Sequence, residues 1–161
     1  MRKDDAINEE DYLFNRMLEL ISKKSYTQSE IKKKLSAKTQ DAQLIERIIN
    51  KLKEYKYLDD ENFARKYLAE REKYRSLREI EFKLTMKGVP KQIIYRVMAD
   101  VEKSDEACRN MASKYMRGKL INKDSLQKLY AYLFGKGFES DEISHIVREY
   151  RNEIKEDIGD D

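Results

Sequence analysis

The chain carries an internal repeat with a period of 49 residues, and this repeat constrains its fold more than any other feature. Residues 35–49 read LSAKTQDAQLIERII, residues 84–98 read LTMKGVPKQIIYRVM and residues 133–147 read LFGKGFESDEISHIV. Each copy is an apolar stripe, a break and a second apolar stripe with the i, i+3, i+4, i+7 spacing of one buried helical face. We therefore predict three copies of a helical hairpin.

The aligned copies keep apolar residues at the same positions of both helices. The aligned sets are Leu35, Leu84 and Leu133; Ile31, Ile80 and Leu129; Ile45, Ile94 and Ile143; Ile48, Val97 and Ile146; Ile49, Met98 and Val147; and Leu52, Val101 and Tyr150. The break holds Thr39, Gly88 and Gly137. Glycine there can adopt the positive φ that closes a helix, so the first helix of each hairpin is expected to end at this point. The second helices are expected to begin at Asp41, at Pro90 and near Ser140.

Helix start signals repeat with the same period. Thr27 with Glu30, and Ser76 with Glu79, have the S/T-x-x-E pattern of a capping box. The third copy lacks this pair, and Asp124 is expected to cap its helix instead. A further helix is predicted before each hairpin, at about 10–24, 60–75 and 105–117.

These elements predict an all-α protein of three tandem three-helix modules, each resembling a helix-turn-helix, in an elongated, curved array. A module of this size has little core alone, so neighbouring modules are expected to stack. The composition agrees, since 40% of the 161 residues are charged, 40% are hydrophobic and only one is proline. The predicted division is an acidic N-terminal extension at 1–9, modules at 10–58, 59–103 and 104–151, and an acidic C-terminal tail at 152–161.

Charge is unevenly distributed along the chain. Residues 62–99 hold ten basic and four acidic residues, a net charge of +6, and residues 114–136 hold six and one, +5. Residues 139–161 hold three basic and nine acidic residues, −6. A basic centre attracts polyanions, and an acidic tail limits promiscuous binding to them.

No feature of the sequence predicts a membrane span, a secretory signal or a disulfide. Apolar runs are short, the N-terminus lacks an apolar segment, and Cys108 is the only cysteine, which fits a reducing cytosol. We expect a cytoplasmic protein. The chain also lacks a long heptad seam, so a monomer is expected.

The residues give no sign of an active site, a metal site or a cofactor. His145 aligns with outward positions of the repeat and is expected on the surface, and Cys108 is expected to pack as a small hydrophobe. The Asp59–Asp60 pair is better explained by a helix start than by acid–base chemistry. Metal-ligand motifs and a phosphate-binding glycine loop are absent from the sequence. We therefore expect a protein that is not an enzyme.

A binding surface is the better hypothesis, and it falls on the middle module. Its candidate residues are Arg65, Arg71, Tyr74, Arg75, Arg78, Lys83, Lys87, Lys91, Tyr95 and Arg96. Arginine and tyrosine are enriched at protein interfaces, and the same pair occurs on single-strand nucleic-acid surfaces, where bases stack on rings. Tyr67 has the spacing of a buried residue and is not included.

The stretch YLDDENFARKYLAEREKYRSLREIEFKLTMKGV, residues 57–89, resembles the RecX family, bacterial regulators of the RecA recombinase. The matching residues are Leu58, Asp59, Asp60, Phe63, Ala64, Arg71, Ile80, Leu84, Lys87, Gly88 and Val89. Residues 132–143, YLFGKGFESDEI, are similar to the family's C-terminal element, and the resemblance extends from about residue 12 to 150. Ser76 stands where many members have glycine.

The resemblance implies a protein that binds RecA and its filament on single-stranded DNA. Such a protein modulates, and mostly inhibits, strand exchange, ATP hydrolysis and co-protease activity in DNA repair and the SOS response. The alternative is a direct nucleic-acid-binding protein, and weak direct DNA binding is compatible with both. A bare helical scaffold is a third reading, in which neutralising the central arginines would change nothing.

Overall fold

The structure is a computed structural model that describes residues 3–159, with side chains described for residues 8–155. The described residues form nine helices and no strand, which confirms the all-α prediction. In chain order they are α1 Lys3–Lys23, α2 Gln28–Ser36, α3 Ala42–Glu54, α4 Asp60–Arg71, α5 Leu77–Met86, α6 Lys91–Ala99, α7 Glu106–Met116, α8 Lys123–Gly135 and α9 Ser140–Gly159.

The hairpins α2–α3, α5–α6 and α8–α9 carry the 49-residue repeat. Their second helices begin at Ala42, Lys91 and Ser140, one period apart. Helix α1 begins earlier than predicted and includes residues 3–9, and α9 continues into residues 152–159. Both predicted terminal segments therefore lie in helices where the structure describes them, and the module boundaries stay a prediction.

The chain divides into two compact units. One contains Met1–Lys66 with Leu84–Ala99, and the other contains Tyr67–Lys83 with Asp100–Asp161. The first unit has a core of buried residues from α1, α2 and α3, among them Met17, Leu35 and Ile48. The second has a core from α7, α8 and α9, among them Leu129 and Ile143. The aligned apolar residues of the repeat are buried, as predicted, except for Met98, Val101 and Tyr150, which are half-buried.

Helix starts follow the predicted caps with one exception. The Thr27 hydroxyl accepts a hydrogen bond from the Glu30 N–H (3.1 Å), and the Glu30 carboxylate accepts one from the Thr27 N–H (3.0 Å), which completes a capping box. Asp41 caps α3, as expected. The expectation for Asp124 is wrong, because α8 begins earlier and Asn122 caps it by accepting from the Ser125 N–H (2.8 Å).

The hydroxyls of the two predicted capping-box residues, Thr27 and Ser76, also reach the next hairpin of the repeat. Thr27 Oγ1 donates to the Lys87 carbonyl oxygen (2.6 Å) at the end of α5. Thr27 is fully buried, so this hydroxyl joins the start of α2 to the end of α5 without competition from water. We call this contact, between a cap hydroxyl and a helix-end carbonyl 60 residues later, a joint.

The second unit contains the same joint one period further along the chain. Ser76 Oγ accepts from the Glu79 N–H (3.1 Å) and donates to the Lys136 carbonyl oxygen (2.7 Å). Ser76 is 2% exposed. Ser76 is therefore both a helix cap and a link to the third hairpin.

Glycine follows the accepting carbonyl in both joints. Gly88 and Gly137 have φ values of +80° and +96°, as their predicted role at the break requires. A Cβ on Gly88 would overlap the Ser29 side chain, and one on Gly137 would lie 2.8 Å from Ser76 Oγ. Glycine is needed at both positions because the backbone has a positive φ and because the neighbouring serine side chain leaves no room for a Cβ.

Candidate partner-binding surface

The ten predicted binding residues are divided equally between the two units. Arg71, Tyr74, Arg75, Arg78 and Lys83 belong to the second unit, and Arg65, Lys87, Lys91, Tyr95 and Arg96 to the first. Eight of the ten are exposed, and Arg71 and Lys87 are half-buried. Their role in binding stays a prediction, and the two groups are described separately below.

A groove of about 260 Å³ in the second unit collects three of these residues. It is lined by Tyr67, Arg71, Arg75, Glu79, Ile80 and Lys83. The Arg71 guanidinium lies 3.6 Å from the centre of the half-buried Tyr67 ring, a cation–π contact that orients it. Arg71 also pairs with Glu70 (3.2 Å), and Arg75 lies 3.8 Å from Glu79. Two of the groove's cations are therefore held by neighbouring side chains.

Arg78 and Lys83 differ from those two cations. Both are exposed, and neither has an ion pair or hydrogen bond with a described residue. Tyr74, 60% exposed, lies in the loop before α5 and is accessible, as predicted. Free cations and an exposed ring can form new contacts without breaking existing ones.

In the first unit, one carboxylate contacts both candidate arginines. Glu61 pairs with Arg65 and with Arg96, each at 3.1 Å. Lys87 lies 3.9 Å from Glu30 and 6.0 Å from the Phe63 ring centre. Exposed ion pairs of this kind contribute little to stability, so these arginines can exchange partners at small cost.

Lys91 and Tyr95 extend from α6 into solvent. Tyr95 is 79% exposed, and Lys91 has no ion pair or hydrogen bond among the described residues. Both agree with the prediction of an accessible surface on the middle hairpin.

Sequence reasoning missed two exposed apolar residues, Phe82 and Met86 on α5. The aligned positions of the other hairpins are Lys33 and Ala37, and Ala131 and Gly135. A comparison of the copies at outward positions, rather than only at buried ones, would have revealed them.

A stack of aromatic rings and lysines in the third module was also missed. The Tyr115 and Tyr132 rings stack with centroids 4.4 Å apart, and Lys119 and Lys136 lie over them at 3.5 and 5.4 Å. Beside Tyr115 is a groove of about 270 Å³ lined by Lys119, Leu120, Asn122, Asp124, Ser125 and Lys128. The excess of basic residues at 114–136 was the signal for this surface.

The residues considered for catalysis, Cys108, Asp59 and Asp60, have roles in packing and helix capping instead. Cys108 is fully buried, and burial raises the pKa of its thiol to about 12, so the reactive thiolate is scarce at neutral pH. Asp59 caps α4 by accepting from the Asn62 N–H (3.0 Å). Asp60 accepts from the Gln28 N–H (2.9 Å), and burial raises the pKa of its carboxyl. The interpretation of this pair as a helix start is confirmed for Asp59, and Asp60 additionally ties α4 to α2.

His145 is exposed, as predicted, but it belongs to a charged cluster. Its Nε2 lies 3.2 Å from Glu149 and 3.6 Å from Asp105. The ligand atoms of these three residues all lie within 4.8 Å of one another, a spacing that could accept a metal ion. Arg109 pairs with both carboxylates at 2.8 Å, and its hydrogen bond to Asp105 lowers the pKa of that carboxyl. A metal ion there would have to displace Arg109.

Among the described residues, no helix is both long and apolar enough to cross a bilayer. The fold and surface define an all-helical protein built on a 49-residue repeat, whose cations and aromatic rings lie on exposed helix faces and shallow grooves.

Comparisons with known proteins identify the family. Regulatory protein RecX of Clostridium acetobutylicum is 33% identical over 159 residues, which cover 92% of this chain and 74% of that protein. Regulatory protein RecX of Clostridium perfringens is 30% identical over 156 residues, with the same coverage. No family model matches the chain. The chain belongs to the RecX family of regulatory proteins.

Solved structures agree on the fold. The crystal structure of RecX from Lactobacillus salivarius superposes with a TM-score of 0.78 at 23% identity, covering 90% of this chain and 98% of that one. A second crystal structure of a regulatory protein RecX gives a TM-score of 0.72, also at 23% identity, covering 88% and 73%. The relatives confirm the predicted resemblance to the RecX family, and the solved structures confirm the fold.

Proposed function

We propose that this protein binds the RecA recombinase and its filament on single-stranded DNA in the cytosol. There it modulates, and mostly inhibits, the recombinase, ATPase and co-protease activities in DNA repair and the SOS response. Membership of the RecX family carries this proposal, since the match extends over 92% of the chain. The protein acts by binding and requires no cofactor of its own.

The surface of the middle hairpin supports a binding role. Arg78, Lys83 and Lys91 are exposed and free of partners among the described residues, and Tyr74 and Tyr95 are accessible. Arginine and tyrosine are the residues that most often dominate binding energy at interfaces.

A triple variant tests whether the central arginines contribute. Arg71→Ala, Arg75→Ala and Arg78→Ala together remove two exposed ion pairs and one cation–π contact, and such contacts contribute roughly 0–1 kcal/mol each to stability. We expect helical content and melting temperature to change little, while inhibition of RecA-catalysed, DNA-dependent ATP hydrolysis falls.

The matched control removes three exposed lysines elsewhere. Lys23, Lys32 and Lys33 lie on α1 and α2 outside the predicted surface, and their replacement by alanine changes net charge equally. Equal loss of inhibition in both triple variants would show a general charge effect. A drop in melting temperature of many degrees would show that the arginines are structural.

The second candidate function is direct binding of single-stranded nucleic acid. The stack of Tyr115 and Tyr132 between Lys119 and Lys136 favours it, because rings and cations together bind bases and phosphates. Salt distinguishes the two functions. For each phosphate contacted, a tenfold rise in salt concentration lowers the affinity for nucleic acid by nearly a factor of ten. The affinity for a protein partner falls far less.

A further inference from the structure

The outer face of α5 exposes two large apolar side chains one helical turn apart. Phe82 is 59% exposed and Met86 is 70% exposed, whereas Ile80 and Leu84 of the same helix are buried. With 3.6 residues per turn, Phe82 and Met86 therefore point away from the core. In the part of the chain that the structure describes, five leucine, phenylalanine or methionine side chains are exposed. Three of them lie on this ten-residue helix, namely Leu77, Phe82 and Met86, and the other two are Leu120 and Phe134.

The other two hairpins show that folding does not require these apolar residues. The positions aligned with Phe82 hold Lys33 and Ala131, and those aligned with Met86 hold Ala37 and Gly135. All four of these residues are exposed as well. Because the three hairpins share one buried pattern, an apolar residue at either position adds nothing to the hairpin's own packing. Water-exposed Phe82 and Met86 therefore call for an explanation outside the hairpin.

Two unpaired cations flank this face. Arg78 precedes Phe82 by one turn, and Lys83 follows it directly. Both are exposed and have no ion-pair or hydrogen-bond partner among the described residues, in contrast to Arg71 and Arg75 of the nearby groove. A cation that becomes covered by a partner loses hydration, so the partner has to supply an opposite charge.

We propose that the outer face of α5, formed by Arg78, Phe82, Lys83 and Met86, is the surface through which this chain docks on a protein partner. The partner presents an apolar pocket bordered by carboxylates. Phe82 fills the pocket, the flexible Met86 adapts to its edge, and Arg78 and Lys83 pair with the carboxylates. This inference rests on the proposed function, in which that partner is RecA.

A nucleic acid fits this face less well than a protein does. Phosphates would pair with Arg78 and Lys83, and a base could stack on Phe82, but a sugar-phosphate chain offers no apolar surface for Met86, the more exposed of the two. The other possible occupant is a second copy of this chain. Both become outcomes of the test.

The test compares two phenylalanines with the same exposure. Phe82 is 59% exposed on α5, and Phe134 is 60% exposed on α8. Each is replaced by alanine in the full chain, and alanine favours the helix at both sites. Binding of the labelled protein to RecA filaments on single-stranded DNA is measured by fluorescence anisotropy. We expect Phe82→Ala to weaken binding at least tenfold and Phe134→Ala to leave it within twofold.

A second pair of variants tests the charges. Arg78→Glu with Lys83→Glu reverses the two free cations, and Lys32→Glu with Lys33→Glu makes the same change of charge on exposed residues of α2. At least tenfold weaker filament binding is expected from the first pair only. The double variant Phe82→Lys with Met86→Ala, which carries the first hairpin's residues at both positions, should fold normally and lose binding.

Each outcome decides between the proposals. If the wild-type chain does not bind the filament, the proposed function is wrong, and RecA is not the partner of the α5 face. If the wild type binds while Phe82→Ala and Phe134→Ala behave alike, the α5 proposal alone is overturned. Equal weakening of binding to a bare oligonucleotide by Phe82→Ala would make the occupant a nucleic acid. If the wild type sediments as a dimer and Phe82→Ala sediments as a monomer, the occupant of the α5 face is a second copy of this chain.

Discussion

Replacing Thr27 by valine tests the joint that links α2 to α5. Valine keeps the shape of threonine but removes the hydroxyl, which is fully buried, accepts from Glu30 N–H and donates to the Lys87 carbonyl. Loss of the helix cap costs about 1 kcal/mol, and leaving the Lys87 carbonyl of this part-buried contact without its donor costs about 1–3 kcal/mol. The free energy of unfolding should therefore fall by roughly 2–4 kcal/mol.

Urea unfolding followed by circular dichroism measures this loss, and two variants act as controls. Thr27→Ser keeps the hydroxyl and removes one methyl group, so it should cost only about 0.8 kcal/mol. Asp41 is exposed and caps α3 by accepting from the Gln43 and Leu44 N–H groups, but it takes part in no joint. Asp41→Ala should therefore lower the free energy of unfolding by only about 1 kcal/mol. The reasoning is refuted if Thr27→Val costs no more than Asp41→Ala. Ser76→Ala should repeat the larger loss in the second unit.

Four further substitutions or measurements test individual features. Gly88→Ala should destabilise the chain by clearly more than Gly118→Ala, because both have φ near +80° but only Gly88 lacks room for a Cβ; equal losses would contradict the close approach. Lys56→Gly should stabilise by roughly 1–2 kcal/mol, since lysine holds a φ of +60° there, and a loss of stability would show that its side chain matters. Leu84→Ala should cost roughly 2–5 kcal/mol in urea unfolding as a fully buried core residue, and a loss below 1 would be inconsistent with its packing. Cys108, with a thiol pKa of about 12, should react with iodoacetamide at pH 8 far more slowly in the folded chain than in urea, and equal rates would contradict its burial.

The sequence predicts the hairpins well because buried positions recur at one period. Ile31, Ile80 and Leu129 are all buried, and the glycines at the break have the positive φ expected of them. The cap of α8 was predicted wrongly because this helix is extended at its start beyond the repeat. It begins 46 residues after α5 rather than 49, and Asn122 became its cap.

The joints were beyond prediction from periodicity alone. The sequence pattern predicts a cap at Thr27 and a break at Gly88. It aligns equivalent positions that lie 49 residues apart, and it does not show which non-equivalent positions come into contact. The joint connects Thr27 to Lys87 across 60 residues, so it depends on how successive copies pack. Packing between copies leaves no periodic trace in one sequence.

The candidate surface was predicted in part for a similar reason. Clusters of arginine and tyrosine are visible in the sequence, and Tyr74 and Tyr95 are exposed as expected. Ion pairing is not visible there, because Glu61 meets Arg96 only after α4 and α6 have packed. Once the structure separates paired cations from free ones, attention moves from Arg71 and Arg75 to Arg78 and Lys83.

The most direct test of the proposed function is ATP hydrolysis by RecA on single-stranded DNA, with this protein titrated against RecA from the same organism. The proposal predicts inhibition at well below one molecule per RecA protomer, because a protein that acts on the filament affects many protomers at once. No effect at equimolar amounts, together with salt-sensitive binding to bare DNA, would contradict it and favour the nucleic-acid-binding function.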